Sequence, residues 1–196
     1  MITPDLDARS LLNLAAAALE GGAEVLQLRH KSMPRGELAA VARDMRELTR
    51  GAGALLIVND FVDIALAVGA DGVHLGPDDL SVESARRIGG DELIIGASAS
   101  HPEPARQAVA AGADYIGCGP AFATPLKPQK EVIGPAGVAS VMKAVDVPVF
   151  GIGGIDETNV IQLVANGVRR VCVIRSVGGA ADPEAAARRL RAMLDT

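Results

Sequence analysis

The amino-acid sequence predicts an α/β fold, a single compact (β/α)8 barrel over residues 1–196 with a truncated first strand. Three observations carry that prediction. Short apolar runs alternate with Ala/Leu-rich helical segments along the chain, the pattern of a parallel sheet covered by helices. A Gly-Ala-acidic phrase recurs at Gly22-Ala23-Glu24, Gly69-Ala70-Asp71 and Gly112-Ala113-Asp114, with a looser echo at Gly167-Val168-Arg169. Each interval holds about two strand–helix units of roughly 20–30 residues. Eight such units fit a closed barrel of the TIM type, whereas an open doubly wound sheet has about five or six strands.

The elements follow in order. Met1 to Thr3 is the truncated strand, and the other seven lie near 24–28 (EVLQL), 54–58 (ALLIV), 72–75 (GVHL), 93–96 (LIIG), 114–118 (DYIGC), 147–150 (VPVF) and 170–174 (RVCVI). Helical segments alternate with them at 7–20, 35–51, 61–68, 81–89, 102–111, 135–144, 157–166 and 183–194. In each repeated phrase the glycine closes a helix in the left-handed conformation, and the chain turns tightly into a strand.

Composition narrows the function. The chain has 196 residues, 49% hydrophobic and 22% charged, enough for one domain with a substantial core. A net charge of −5, one Tyr, three Phe and no Trp leave neither a basic groove nor stacking platforms, so nucleic acid is excluded as a partner. No apolar run approaches the roughly 20 residues of a membrane span. Asp5 and Asp7 stand where a secretory signal carries positive charge. Cys118 and Cys172 sit in apolar strand-like stretches as buried thiols, without zinc-ligand spacing. A soluble cytoplasmic protein is expected, monomer or homodimer.

In a barrel, chemistry gathers where strands end and the following loops begin. The run Gln27-Leu28-Arg29-His30-Lys31 alternates, so that with Leu26 and Leu28 against the helices, Gln27, Arg29 and Lys31 face the barrel axis. The next two strands end in Asn59-Asp60 and Gly76-Pro77-Asp78-Asp79. Such pairs also serve as turns and caps. Carboxylates on neighbouring strand ends, facing two cations, suit one Mg²⁺ completed by water and substrate phosphates. Ser98 ends the following strand. The uncharged, Gly- and Pro-rich stretch from 115 to 126, closed by Lys127, reads as an ordered loop over the barrel mouth. Gly151-Ile152-Gly153-Gly154-Ile155 and Arg175-Ser176-Val177 lie where barrels build phosphate cradles from backbone amides. His74 is read as a satisfied inward-facing core residue, His101 is given no role, and no nucleophile triad is identified.

In order, QLRHK, IVND, DGVHLGPDDL, IIGAS, DYIGCGPAFATPLKP and GIGGI closely resemble the thiamin phosphate synthase family, from about residue 20 to the end. The sister branch of thiazole tautomerases shares the barrel. The resemblance implies a Mg²⁺-dependent transferase of thiamin biosynthesis. It joins hydroxymethylpyrimidine pyrophosphate to the ring nitrogen of a thiazole phosphate, with loss of pyrophosphate. By that resemblance Gln27, Arg29, Lys31 and Asn59 contact the pyrimidine pyrophosphate, and Asp60 and Asp79 hold Mg²⁺. Ser98 and Lys127 steady the leaving group, so that Arg29, Lys31, Ser98 and Lys127 form the catalytic set. Thr124 and the backbone at Gly153, Gly154, Arg175 and Ser176 receive the thiazole phosphate.

The sequence departs from the family pattern in three places. Leu126 stands for a second Thr, Ser100 for a His, and Arg175 for a frequent Ser. Two alternatives keep the fold: a tautomerase-like isomerase, and a non-catalytic thiamin-phosphate-binding regulatory barrel. Pro120 occupies the place of the tautomerase histidine, and proline cannot transfer a proton.

Overall fold

The computed structural model describes residues 1–125 and 128–196. Its strands are β1 (Val25–Leu28), β2 (Leu55–Asn59), β3 (Gly72–Leu75), β4 (Ile94–Ser98), β5 (Tyr115–Cys118), β6 (Val149–Ile152) and β7 (Val171–Cys172). They form one sheet in chain order, and every neighbouring pair is parallel. Helices α1 (Ala8–Glu20), α2 (Arg35–Ala52), α3 (Val62–Val68), α4 (Val82–Gly89), α5 (Pro102–Ala110), α6 (Gly134–Met142) and α7 (Val160–Ala165) separate and flank the strands. A short α8 (Arg175–Gly178) and α9 (Pro183–Leu194) follow β7.

Three residues close the ring. The Ile2 amide donates to the Val173 carbonyl (2.9 Å), the Thr3 amide to Gln27 (2.9 Å), and the Gln27 amide to Met1 (2.8 Å). Met1–Thr3 thereby takes the eighth strand position, between β1 and the end of β7. The buried Thr3 hydroxyl extends that ladder by side chain, donating to the Arg29 carbonyl and accepting from the Arg29 amide, both at 2.9 Å.

The repeated phrase precedes β1, β3, β5 and β7, every second strand, which accounts for its spacing. Its four glycines, Gly22, Gly69, Gly112 and Gly167, all lie at positive φ. Its aspartates fasten the strand one place back. Asp71 Oδ2 accepts from the Leu56 amide and from Arg46 Nη1 of α2, each at 2.7 Å. Asp114 Oδ2 accepts from the Ile95 amide (2.7 Å) and from Arg86 of α4. One carboxylate thus satisfies an amide at the start of a strand and pairs with the helix beside it.

Alternation along the strands separates two interiors. Leu26, Leu28, Leu56, Val58, Val73, Leu75, Ile95, Ala97, Ile116 and Cys118 point outward into the shared core beneath the helices. The other face carries Gln27, His74, Ser98, Tyr115 and Gly117, which line a cavity along the barrel axis. A barrel interior is normally filled by branched apolar side chains. Glycine and polar residues here leave room for a ligand.

Strand ends shift by one or two residues from the sequence reading in every case but Gly72–Leu75, and two strands differ most. The sixth ladder is Val149–Ile152 rather than 147–150. Pro148 has no amide to donate, although its carbonyl accepts from Ile116, and the ladder continues because the Gly151 amide donates to Arg170. The seventh shrinks from 170–174 to Val171–Cys172, with α8 beginning at Arg175.

Candidate active site

The ends of β1 to β3 assemble a charged rim. Leu26 and Leu28 are fully buried against the helices, which turns Gln27 inward, and Arg29 and Lys31 follow it past the strand end. Lys31 Nζ donates to Asp60 Oδ2 at 2.8 Å, and Arg29 stands 3.8 Å from Asp5. Asp60 has φ +68°, the left-handed region, and its amide donates to the His74 carbonyl at 2.9 Å. It is the one non-glycine residue at positive φ among the described residues. The strained conformation turns the chain out of β2 immediately after Asn59. Burial pushes the Asp60 carboxyl above its ordinary value, Lys31 opposes that shift, and the neighbouring Asp79 carboxyl adds to it. Asp79 is held in place through Oδ2, which accepts from the Gly76 amide at 2.8 Å.

Beside the rim lies a cavity of about 510 Å³, lined among others by Gln27, Ser98, Thr124, Gly153, Gly154, Arg175 and Ser176. Ser98 ends β4 with its hydroxyl 2.9 Å from His74 Nε2, and His74 Nδ1 lies 3.0 Å from the Tyr115 hydroxyl. Gly153 and Gly154 have φ of +99° and +64°. A Cβ at Gly153 would stand 2.6 Å from Pro120, and one at Gly154 would stand 2.5 Å from the Ala123 carbonyl. The loop after β5 therefore lies directly on this glycine pair. The Ala121 amide donates to Ile152 (2.8 Å) and the Phe122 amide to Gly153 (2.9 Å). Asn159 Nδ2 donates to the Gly154 carbonyl at 2.8 Å and fixes the far side of the turn. The Ser176 hydroxyl is shielded from solvent and has no hydrogen-bond partner among the described residues. A buried hydroxyl left in that state is costly unless a ligand completes it.

Seven of the residues singled out from the sequence thus surround one cavity. Arg29, Lys31, Asp60 and Asp79 share the neighbouring rim, where Asn59 is the register partner of His74. Lys127 and Leu126 lie outside the described residues. The sequence reading overlooked Tyr115 and gave His74 no chemical role. Alternation along DYIGC was the available signal, because outward Ile116 and Cys118 require Tyr115 and Gly117 to face the axis. Burial raises both thiols, Cys118 to about 12, so neither is a reactive thiolate.

Fold and site together define a (β/α)-barrel enzyme acting on small phosphorylated molecules. The thiamine monophosphate synthase family model matches residues 1–177. The chain belongs to that family. A thiamine-phosphate synthase of Moorella thermoacetica is 50% identical over 184 residues, covering 93% of this chain and 88% of that one. A thiamine-phosphate synthase of Roseiflexus sp. is 46% identical over 187 residues, covering 95% and 79%. Among solved structures, a thiamine phosphate pyrophosphorylase from Pyrococcus furiosus superposes with a TM-score of 0.91 at 41% identity, covering 99% of this chain and 93% of that one. The activity is that of a thiamine-phosphate synthase, a transferase. A 3-hexulose-6-phosphate synthase, at TM-score 0.76 and 19% identity, shares the fold alone.

Proposed function

We propose that the rim and the cavity divide the synthase reaction between them. The pyrimidine pyrophosphate lies against Gln27, Arg29, Lys31, Asn59 and Ser98, with Lys127 completing its leaving-group end. The thiazole phosphate enters the cradle of Thr124, Gly153, Gly154, Arg175 and Ser176. The bond from the pyrimidine methylene carbon to the pyrophosphate oxygen breaks, and its electron pair leaves with pyrophosphate. The thiazole nitrogen then supplies the pair for the new carbon–nitrogen bond. Arg29 and Lys31 neutralise the departing charge, Ser98 donates a hydrogen bond to it, and the cradle holds the nucleophile in line. No protein nucleophile is needed. The observation that carries this reading is the division of the strand ends into a charged rim on β1–β3 and a glycine cradle on β6–β7, with an orphaned Ser176 hydroxyl in the cradle.

The donor set also suits Mg²⁺. Asp79 lies close enough to Asp60 to help raise its carboxyl, which brings two hard carboxylates together, and no group of three or more His, Cys, Asp or Glu forms a full cage among the described residues. A two-carboxylate site that takes its remaining ligands from water and substrate phosphates matches the usual preference of Mg²⁺. Bound there, the ion would supply charge neutralisation to the diphosphate leaving group. Residues 1–196 act as one domain, in the cytoplasm, as monomer or homodimer. No helix among the described residues is long and apolar enough to cross a membrane, and both thiols are suited to a reducing compartment.

The test is pyrophosphate release and thiamin phosphate formation from both substrates, with and without Mg²⁺, for the native chain and Asp79→Ala. Metal-dependent product that falls by about 100-fold in the folded variant is expected. Full activity in Asp79→Ala would remove Asp79 from the site.

A further inference from the structure

We propose that His74 and Tyr115 are positioning residues that orient the Ser98 hydroxyl toward the substrate, through a directional chain of hydrogen bonds running Tyr115 to His74 to Ser98. The inference rests on the reading of Ser98 as a donor to the leaving group. The geometry is a line of three side chains on adjacent strands β3, β4 and β5, with contacts of 3.0 Å and 2.9 Å across the two imidazole nitrogens.

The direction of the chain follows from the phenol. Burial raises the Tyr115 hydroxyl far above its ordinary value, so it keeps its proton and can act as a donor. In the proposed chain the phenol gives that proton to His74 Nδ1, 3.0 Å away. A neutral imidazole accepting at Nδ1 carries its own proton on Nε2 and donates it to Ser98 Oγ. Ser98 is then supplied with a donor. Its own proton remains available to an acceptor in the cavity, and each bond polarises the next. Without His74, the serine hydroxyl is free to rotate and can spend its proton elsewhere.

The barrel makes room for this chain. A Cβ at Gly96 would stand 2.0 Å from Tyr115 Cζ and 2.4 Å from its hydroxyl oxygen. A Cβ at Gly117 would stand 3.0 Å from His74 Cε1. Phe150 packs edge-on against Tyr115, with centroids 5.5 Å apart. The two glycines sit on the strands beside the rings, where any larger side chain would displace them.

A double-mutant cycle tests the proposal. His74→Leu is expected to lower kcat roughly tenfold with both Michaelis constants within about twofold of native, because a transition-state donor is weakened and the binding contacts remain. His74→Gln, which restores an N–H donor, recovers part of that loss. In a Ser98→Ala background, His74→Leu is expected to cost no more than about twofold further, since it acts only through the serine. Tyr115→Phe keeps the ring and its packing, and provides the same cycle if His74→Leu fails to fold. Losses that multiply in the double variants would overturn the chain while leaving Ser98 in its role. Full activity in Ser98→Ala would overturn the reading on which the chain rests.

Discussion

Asp71→Ala probes the barrel at the end remote from the chemistry. Asp71 Oδ2 accepts two bonds at 2.7 Å, one from the Leu56 amide and one from Arg46. Leu56 is fully buried, and its amide loses this partner once the carboxylate is gone. An unpaired buried amide costs about 1–3 kcal/mol. Arg46 is 16% exposed, and its Nε already lacks a partner among the described residues, so loss of its ion pair adds about 1 kcal/mol. The sum of about 2–4 kcal/mol lowers Tm by roughly 4–16 °C for a chain of this size. Asp114 has the same role for Ile95 but is 48% exposed, and water can replace more of what it supplies. Asp114→Ala should therefore cost about half as much. Asp71→Asn keeps an acceptor for Leu56 and should recover about 1–2 kcal/mol. Calorimetric melts of the three variants, with kcat at 25 °C staying within about twofold of native, provide the comparison. A shift of less than about 1 °C in Asp71→Ala, or an equal shift in Asp114→Ala, would refute the role assigned to the repeated aspartates.

Three further outcomes are expected. Ser176→Ala removes a buried hydroxyl that lacks a protein partner, so stability holds or rises while the Michaelis constant for thiazole phosphate increases about fivefold. An unchanged constant would take Ser176 out of the cradle. Asp60 has a folded pKa above its ordinary 3.8, so the folded chain binds that proton more tightly than the unfolded chain does. The linked stability is fully present below pH 3.8 and is lost as pH rises through the raised folded value. In metal-free buffer Asp60→Asn should thus become the more stable protein as pH rises, which melts across an acidic pH series would show. Added Mg²⁺ should close the gap by stabilising the native chain alone. Thr3→Val removes both side-chain bonds to the Arg29 backbone, and should cost about 1–3 kcal/mol and weaken pyrimidine pyrophosphate binding. Denaturant melts and the two Michaelis constants separate the effects.

The fold was largely legible in the sequence because a barrel strand repeats a simple pattern. Outward residues must be apolar to pack under helices, and each Gly of the repeated phrase must close a helix at positive φ. Those constraints are local, so period and punctuation reveal them. The misplaced sixth strand marks where they fail. A strand that follows Pro148 and contains Gly151 has no propensity to declare its limits, and its ladder was set by Ile116 and Arg170, distant in sequence. Asp71 and Asp114 were visible as a repeat, but their purpose depends on Leu56 and Ile95, which only folding brings near.

The sequence by itself determined the alternation of strands and helices, the inward set Gln27, Arg29 and Lys31, the acidic strand ends and the glycine cradle. Each follows from spacing of two along a strand or from the conformational freedom of glycine. Only the tertiary structure decided that Met1–Thr3 closes the ring, that Asp79 stands beside Asp60 and helps raise its carboxyl, and that His74 joins Tyr115 to Ser98. These are contacts between different strands, and they depend on register. Register is set by the hydrogen bonding of the whole sheet, in which no short stretch of sequence records its partner.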